Sequence, residues 1–591
     1  MPDYPFDCAE VLKNRRALKK KLLQRDDLLE RRIALLSGST VGVLKDLLEI
    51  FLLDWGIRPV FFEGAYGRFY EDAVFDEGAL ARFKPDVLYI HTSVRDIELP
   101  RAGESAADCD ARLDTVFGRF REIWDGVGDK LGCAVIQNNF DFPRLRVMGN
   151  YEATAYSGKL RFVNRLNERF ACYADTHRNF YINDLCWLSA FYGLDRFSDP
   201  TAYNAYKYAV APESMPLLAH SIASIIKALF GKNKKALLLD LDNTLWGGVI
   251  GDDGLGGIRL GRENPEGIAY ADVQQYASEL PAIGILLGVC SKNDDAIARS
   301  GFAHPSSILT TGDFATFKAN WDPKPLNLER SASELNIGTD SLVLADDNPA
   351  ERELVRGTGL GVATPELTVA ERFAETIANA GYFEVVALSQ DDAKRAEMYR
   401  QNIARTGAQS GFADYSDYLR SLEMRAYFSP FSPGAAERLT QLANKTNQFN
   451  LTTRRYTSGE LEAKSRNERC ITICGRLEDK FGDNGIVTEL VGNIEGDTLD
   501  IELWLMSCRV FKRELELAAF DELVRLCRER GVHRITGAYF ATPKNALVAE
   551  FYRSLGFRQT GVEDLGTVWS YDIPKNYENK NRTIEVLHEQ K

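Results

Sequence analysis

The stretch KKALLLDLDNTLWGGVIGDDG, residues 234–254, decides the fold. Its apolar run Ala236–Leu239 ends on Asp240, with Asp242 two residues on. A short, unbroken apolar run reads as a strand covered on both faces, the usual state of a parallel sheet. Ligands of such sheets gather at the carboxyl ends of the strands. Two acids at i and i+2 in that place repel one another. A divalent cation removes the repulsion and leaves one carboxylate free to act as a nucleophile. Outward from this strand, GILLGVCS (284–291), SSILTTG (306–312) and SLVLADD (341–347) read as three more buried strands. Their ends bring matching groups. Ser291 offers a hydroxyl to a phosphate oxygen, Lys324 in NWDPKPLN a cation, and Asp346 and Asp347 further metal-facing oxygens. An α/β domain over roughly 230–380 follows.

The intervals between these groups are short, with 46 residues between Thr244 and Ser291 and 32 between Ser291 and Lys324. Neither has room for a folded lid. An uncapped site suits a large or protein-tethered substrate.

Elsewhere the chain alternates strands and helices. The segment 12–32, LKNRRALKKKLLQRDDLLERR, reads as a charged amphipathic helix with a solvated basic face. IALLS (33–37), RPVFFE (58–63), DVLYIHT (86–92), CAVIQ (133–137) and FYIND (180–184) read as strands separated by helix-length segments. They imply a helix-covered parallel sheet over 1–195. A linker helix is expected in 196–229 and a polar helical spacer in 381–422. A third α/β domain is expected over 423–577, followed by a loose polar tail, 578–591. Its order is strand, two helices, three strands, helix, strand, helix, strand.

With 591 residues, 45% hydrophobic and 27% charged, the chain has the composition of a multidomain globular protein. Its formal net charge of −13 argues against a broad nucleic-acid surface. No apolar run reaches the ~18 residues of a membrane span, and the N-terminal residues show no apolar core of a secretory signal. The ten cysteines form no CxxC pair and the six histidines no zinc-like cluster. A reduced, cytoplasmic chain without membrane or nucleic-acid partner is the expectation.

Longer phrases narrow the reading. LLLDLDNTLWGGVIGDDG, VCSKND, NWDPKPLNLER and LADDNPAERELVR, with NKTNQFNLTTRRY, DKFGDNGIV, WLMSCRV and TPKNALVAEFYRSLGF, resemble the FkbH-like family of haloacid dehalogenase (HAD)-type proteins over roughly 200–575. The resemblance implies an uncapped Rossmann-like HAD domain in which Asp240 attacks phosphorus. Asp242 then acts as acid and base and meets Mg²⁺ through its backbone carbonyl, and Ser291 and Lys324 neutralise the phosphoryl group. It also implies Asp346 and Asp347 beside the metal, with Thr244 and Asn293 toward the substrate. The family's implied activity takes a glyceryl unit from 1,3-bisphosphoglycerate, removes phosphate and loads the unit as a thioester on the phosphopantetheine arm of an acyl carrier protein. A stand-alone phosphomonoesterase acting on a small metabolite or phosphoprotein is the alternative, and a carrier-binding adaptor with a dead HAD site a further one.

An enzyme thiol would hold the acyl group between steps. Cys290, beside Ser291, is the first choice, although strand alternation turns neighbouring side chains to opposite faces. Cys508, beside Arg509, is the rival. The third domain resembles the GNAT acetyltransferase fold. Its expected glycine-rich CoA turn is replaced by Arg509-Val-Phe-Lys512-Arg-Glu514, so a scaffold docking a pantetheine arm near Asn545 and Tyr552 fits better than a CoA enzyme. Asp479 and Asn484 either line a cleft or turn the chain. The first domain resembles a flavodoxin-like SGNH hydrolase without its motifs. Ser37-Gly-Ser39-Thr40 replaces Gly-Asp-Ser, the late Asp184-Leu-Cys-Trp187 lacks a histidine, and His91–Asp96 stands where a Gly-x-Asn-Asp block belongs. A degenerate docking module is the expectation.

Overall fold

The computed structural model describes residues 3–75, 78–388, 414–446, 448–456, 458–542, 545–563 and 566–588, with Met398, Gln401, Arg405 and Phe412. Most of the expected spacer helix around 389–407 therefore lies outside the described residues. The chain divides into two compact units, one of residues 6–232 and one of residues 2–5 and 233–591.

The first unit is built on five parallel strands. They are β1 (Leu29–Ser37), β2 (Ile57–Glu63), β3 (Val87–His91), β4 (Ala134–Asn138) and β5 (Phe180–Asn183), in the order β2-β1-β3-β4-β5. That order is flavodoxin-like. The N-terminal helix stops at Leu22 rather than reaching Arg32, because Leu29–Arg32 pair in register with Ile57–Val60 as the start of β1. Burial alternates over those four residues and becomes continuous from Ile33 to Ser37. The stretch expected as a linker contains the helix Met215–Leu229, buried along most of its length within this unit.

The second unit begins with a sheet of β6 (Ala236–Leu239), β7 (Leu286–Ser291), β8 (Thr316–Ala319) and β9 (Leu342–Ala345). These are all parallel, in the order β8-β7-β6-β9. Strands β6 and β9 are buried at every residue, as their unbroken apolar sequences require. SSILTTG is not a strand. The Gln274 carboxamide oxygen accepts from the N–H groups of Ile308 and Leu309, and Thr310 and Asp313 cap each other, so these groups are spent locally and β8 forms only at Thr316. The interval after Thr244 holds a flap closed by paired Gly247 and Arg259 and the helix Pro265–Glu279; no lid domain is inserted.

The remaining strands make an eight-stranded sheet: β10 (Arg425–Ser429), β11 (Cys470–Asp479), β12 (Gly482–Glu495), β13 (Thr498–Met506), β14 (Arg534–Phe540), β15 (Arg558–Glu563), β16 (Gly566–Asp572) and β17 (Glu585–His588). The order is β15-β16-β14-β13-β12-β11-β10-β17. With the helices Ala436–Lys445, Ser458–Arg466 and Leu515–Glu529, this sheet forms a further α/β part, as expected from the sequence. Strands β13 and β14 run parallel but pair only over Thr498–Ile501 and Arg534–Gly537, then splay. Two expectations fail. The last helix of the expected order is instead a 3-10 turn, Ala546–Val548, and the short helix Phe551–Ser554. The tail is not loose: the Asp521 carboxylate accepts from Tyr577 and from the N–H groups of Lys580 and Asn581, and β17 pairs with β10.

Candidate functional site

The carboxyl ends of β6, β7 and β9 meet at one edge of the four-stranded sheet. Asp240 follows β6, with its N–H donating to Ala345 O at 2.9 Å. Lys324 begins the helix Lys324–Glu334 after β8, and Asp346 follows β9. Lys324 is 2% exposed and Asp346 fully buried. The Lys324 Nζ lies 3.1 Å from Asp240 Oδ2 and also donates to Asp346 Oδ2. Burial opposes the charge of Lys324, but the two carboxylates outweigh it and its pKa is raised. Burial, then repulsion from Asp240, raises Asp346, and the same two causes raise Asp347. The ammonium is shared, and the site still carries excess negative charge.

Carboxylate oxygens of Asp240, Asp346 and Asp347 lie within 4.8 Å of one another. Asp240 Oδ1 is buried without a hydrogen-bond partner. A hard cation that takes oxygen ligands fits this set: it satisfies the orphaned oxygen and offsets the repulsion that one lysine leaves. Asp240, Asp346 and Asp347 would hold it.

Asp242 stands apart from this trio. Its Oδ1 accepts from Trp246 Nε1 at 2.8 Å and from the Ile250 N–H at 3.0 Å, and its Oδ2 from Asn293 Nδ2 at 3.0 Å. A side-chain metal contact for Asp242 does not match this pose, since both of its carboxylate oxygens are already engaged, one by Trp246 and Ile250 and the other by Asn293. Burial, the largest cause, raises its pKa against these donors. Asn243 between the two acids takes a left-handed φ of 56° and accepts the Gly248 N–H at 2.9 Å, which folds the flap back over the strand end.

Three expected assignments change. Thr244 is fully buried and exchanges hydrogen bonds with Asp347: its Oγ1 donates to Oδ1 at 3.2 Å and accepts from the Asp347 N–H at 3.3 Å. It ties two strand ends together and does not face a substrate. The Asn293 amide is spent on Asp242. Cys290 is fully buried in the apolar cluster beneath the sheet end, with its thiol directed at Lys324 O at 3.9 Å. Burial pushes its pKa up to about 12. Alternation of side chains across β7 puts Cys290 in the core, so it is not placed to carry an acyl group. Ser291, at the end of β7, is 2% exposed. The Cys508 side chain lies outside the described residues, and its backbone forms the 3-10 turn Cys508–Val510.

In the part built on the eight-stranded sheet, Asn545 is fully buried and its Nδ2 donates to Phe540 O at 2.9 Å and Asn450 O at 3.0 Å. The segment Phe449–Leu451 fills the splay between the strands: Leu451 N–H donates to Trp504 O, Met506 N–H to Phe449 O and Phe540 N–H to Leu451 O. The Tyr552 hydroxyl is buried, and a Cβ added at Gly537 would stand 2.3 Å from it. Asn545 and Tyr552 are thus structural and do not line an open pantetheine slot. Asp479 holds Arg405 and Arg513 at 2.7 and 3.0 Å, and Asn484 Nδ2 donates to Leu477 O at 3.2 Å, so both close the fold. Lys512 and Glu514 have φ of 63° and 62°, a turn shaped for glycine but built without it.

In the first unit, Ser37 Oγ donates to Ser39 O at 2.5 Å, and Asp184 caps the helix Leu185–Tyr192. His91 turns inward, bonded through Nδ1 to Tyr89 OH at 2.9 Å and to the Asn138 amide at 3.2 Å. These residues assemble no triad. The sequence reading passed over Trp246 and the Ile250 N–H, the donors that hold Asp242; the only signal was a tryptophan four residues after the second acid.

Residues 32–227 match the model of the FkbH N-terminal domain. No curated protein matches the chain. Among solved structures, the N-terminal part of the protein BF1531 from Bacteroides fragilis, containing a phosphatase domain and complexed with Mg, is 28% identical. It covers 63% of this chain and 99% of that one, with a TM-score of 0.59. The ribosomal-protein-S18-alanine N-acetyltransferase from Escherichia coli is 14% identical over 27% of this chain and 99% of its own, with a TM-score of 0.21.

Proposed function

We propose, taking as premise a chain that is FkbH-like and carries a HAD-type phosphatase domain, that this protein is a Mg²⁺-dependent glyceryl transferase–phosphatase. It takes a glyceryl unit from 1,3-bisphosphoglycerate, removes the phosphate ester and delivers the unit as a thioester to an acyl carrier protein. The observation that carries the phosphatase half is Lys324 held between Asp240 and Asp346, with an orphaned oxygen on Asp240. Support also comes from the likeness to the BF1531 fragment, whose structure contains Mg.

In the proposed mechanism Asp240 attacks phosphorus in line with the leaving oxygen and forms an aspartyl phosphate. Asp242, already held by three donors, protonates the leaving oxygen and later takes the proton of the attacking water. Lys324 neutralises the phosphoryl oxygens and fixes the Asp240 carboxylate. Mg²⁺, when bound by Asp240, Asp346 and Asp347, supplies positive charge that spreads the phosphoryl negative charge. The lidless sheet edge admits a tethered substrate.

The second reading is a stand-alone phosphomonoesterase on a small metabolite or phosphoprotein. The burial of Cys290 favours it, because the thiol expected beside the phosphate site is in the core. Intact-mass measurement of a holo-carrier incubated with enzyme, Mg²⁺ and 1,3-bisphosphoglycerate separates the two. Growth by one glyceryl unit without phosphate supports transfer; phosphate release with an unchanged carrier supports the phosphomonoesterase.

A further inference from the structure

Asp242 differs from the other acids of the cluster in how completely its carboxylate is positioned. Three donors reach it from three places: Trp246 Nε1 at 2.8 Å, the flap N–H of Ile250 at 3.0 Å and Asn293 Nδ2, from the loop after β7, at 3.0 Å. Both oxygens are engaged, so the carboxylate plane is fixed. A carboxyl that must place one proton on a leaving oxygen gains from this, because proton transfer requires hydrogen-bond geometry first.

Trp246 is itself fixed. It is fully buried, with Phe302 edge-on at 5.4 Å between ring centroids. Its ring lies against Gly301, where an added Cβ would come within 2.6 Å of Trp246 Cη2 and 2.9 Å of Ile250 Cδ1. The absent side chain at Gly301 therefore leaves the space taken by the Trp246 ring and the Ile250 side chain. Asn293 is 5% exposed, and its Oδ1 accepts the Asp294 N–H at 2.9 Å, which directs its amide at Asp242.

We infer that Trp246 and Asn293 are positioning residues that aim the Asp242 carboxyl at the leaving oxygen, with Gly301 as the seat of Trp246. This rests on the phosphatase reading above. The consequence is a dependence on the leaving group. An alkyl phosphate departs as a basic alkoxide and needs a well-aimed proton, whereas a nitrophenolate departs without one. Loss of either donor should therefore slow alkyl phosphates more than aryl phosphates. A defect in folding, metal binding or phosphate binding should slow both alike.

The test uses the full chain with Mg²⁺ and single-turnover release of leaving group from glycerol phosphate and from p-nitrophenyl phosphate. Trp246→Phe and Asn293→Ala are each compared with wild type. The ratio of alkyl to aryl rates is expected to fall about tenfold in each variant, a part of the 10²–10⁴ that a positioned acid supplies. An unchanged ratio in both overturns the proposal. An unchanged ratio in one removes that residue from it, so failure of the other variant to fold leaves the proposal exposed to refutation. A wild-type protein that releases neither leaving group overturns the phosphatase reading itself, an outcome distinct from an unchanged ratio.

Discussion

Lys324 Nζ lies 3.1 Å from Asp240 Oδ2, deep enough that only 2% of the lysine is exposed. It also reaches Asp346, so one cation serves two carboxylates that otherwise repel. Removing one partner of a buried ion pair leaves an uncompensated charge and costs about 3–5 kcal/mol. Lys324→Met should lower metal-free stability by about that amount. Saturating Mg²⁺ should recover more stability in the variant than in wild type, since the cation replaces the missing charge. Thermal unfolding with and without Mg²⁺ checks this; equal shifts in both proteins would count against the cluster as a metal site.

The structural role of Asn545 gives a second prediction. Its amide bridges Phe540 O and Asn450 O across the splay of β13 and β14. Asn545→Ala should destabilise by roughly 1–3 kcal/mol through unsatisfied buried carbonyls. Phosphate release from p-nitrophenyl phosphate at 25 °C should be unaffected. Denaturant unfolding and a phosphatase assay on one preparation measure both.

Much of this was legible in the sequence. Three strands of the four-stranded sheet, β6, β7 and β9, lie where the buried-type apolar runs lie, whereas β8, with Thr316 and Lys318, carries no such run. The groups at their ends, Asp240, Ser291 and Asp346, follow from the runs alone. The errors have a common cause: a side chain or a partner strand claims backbone groups in a way that local pattern does not display. Gln274 takes the N–H groups of Ile308 and Leu309 and cancels a strand. Pairing with β2 pulls Leu29–Arg32 out of a helix. β17 forms in a polar tail because β10 offers it an edge. Within the site, residue types were readable but directions were not. Asn293 and Thr244 carry groups fit for a substrate and turn them toward Asp242 and Asp347.

The first unit carries a pH dependence of its own. His91 is fully enclosed and burial depresses its pKa from 6.5 to about 4. The unfolded chain therefore binds a proton between these values that the folded unit does not. Stability from this group is complete above about pH 6.5 and is lost as pH falls toward 4. At about 1.36 kcal/mol per pKa unit, the loss by pH 4.5 is about 2–3 kcal/mol. Hydrogen exchange of the peptide spanning Val87–Thr92, corrected for intrinsic rates, should show weaker protection at pH 4.5 than at pH 7. In His91→Gln that difference should shrink; an unchanged difference would assign the effect to other groups.

Gly537 supplies a further check on packing. A Cβ there meets the Tyr552 hydroxyl at 2.3 Å, and that tyrosine is 1% exposed with little room to retreat. Gly537→Ala should cost about 1–3 kcal/mol by overpacking. Gly537→Ala combined with Tyr552→Phe, which removes the clashing oxygen, should recover part of it. Urea midpoints of the single and double variants measure the recovery, and no recovery would contradict the contact.

The central claim is that Asp240 takes a phosphoryl group. Rapid quenching of the Mg²⁺-loaded protein during turnover, followed by borohydride reduction and peptide mass spectrometry, reads this directly. Residue 240 is predicted to appear as homoserine, the reduction product of an aspartyl phosphate, and the modification should vanish in Asp240→Asn. Homoserine at another aspartate, or steady phosphate release by Asp240→Asn at the wild-type rate, would contradict the account.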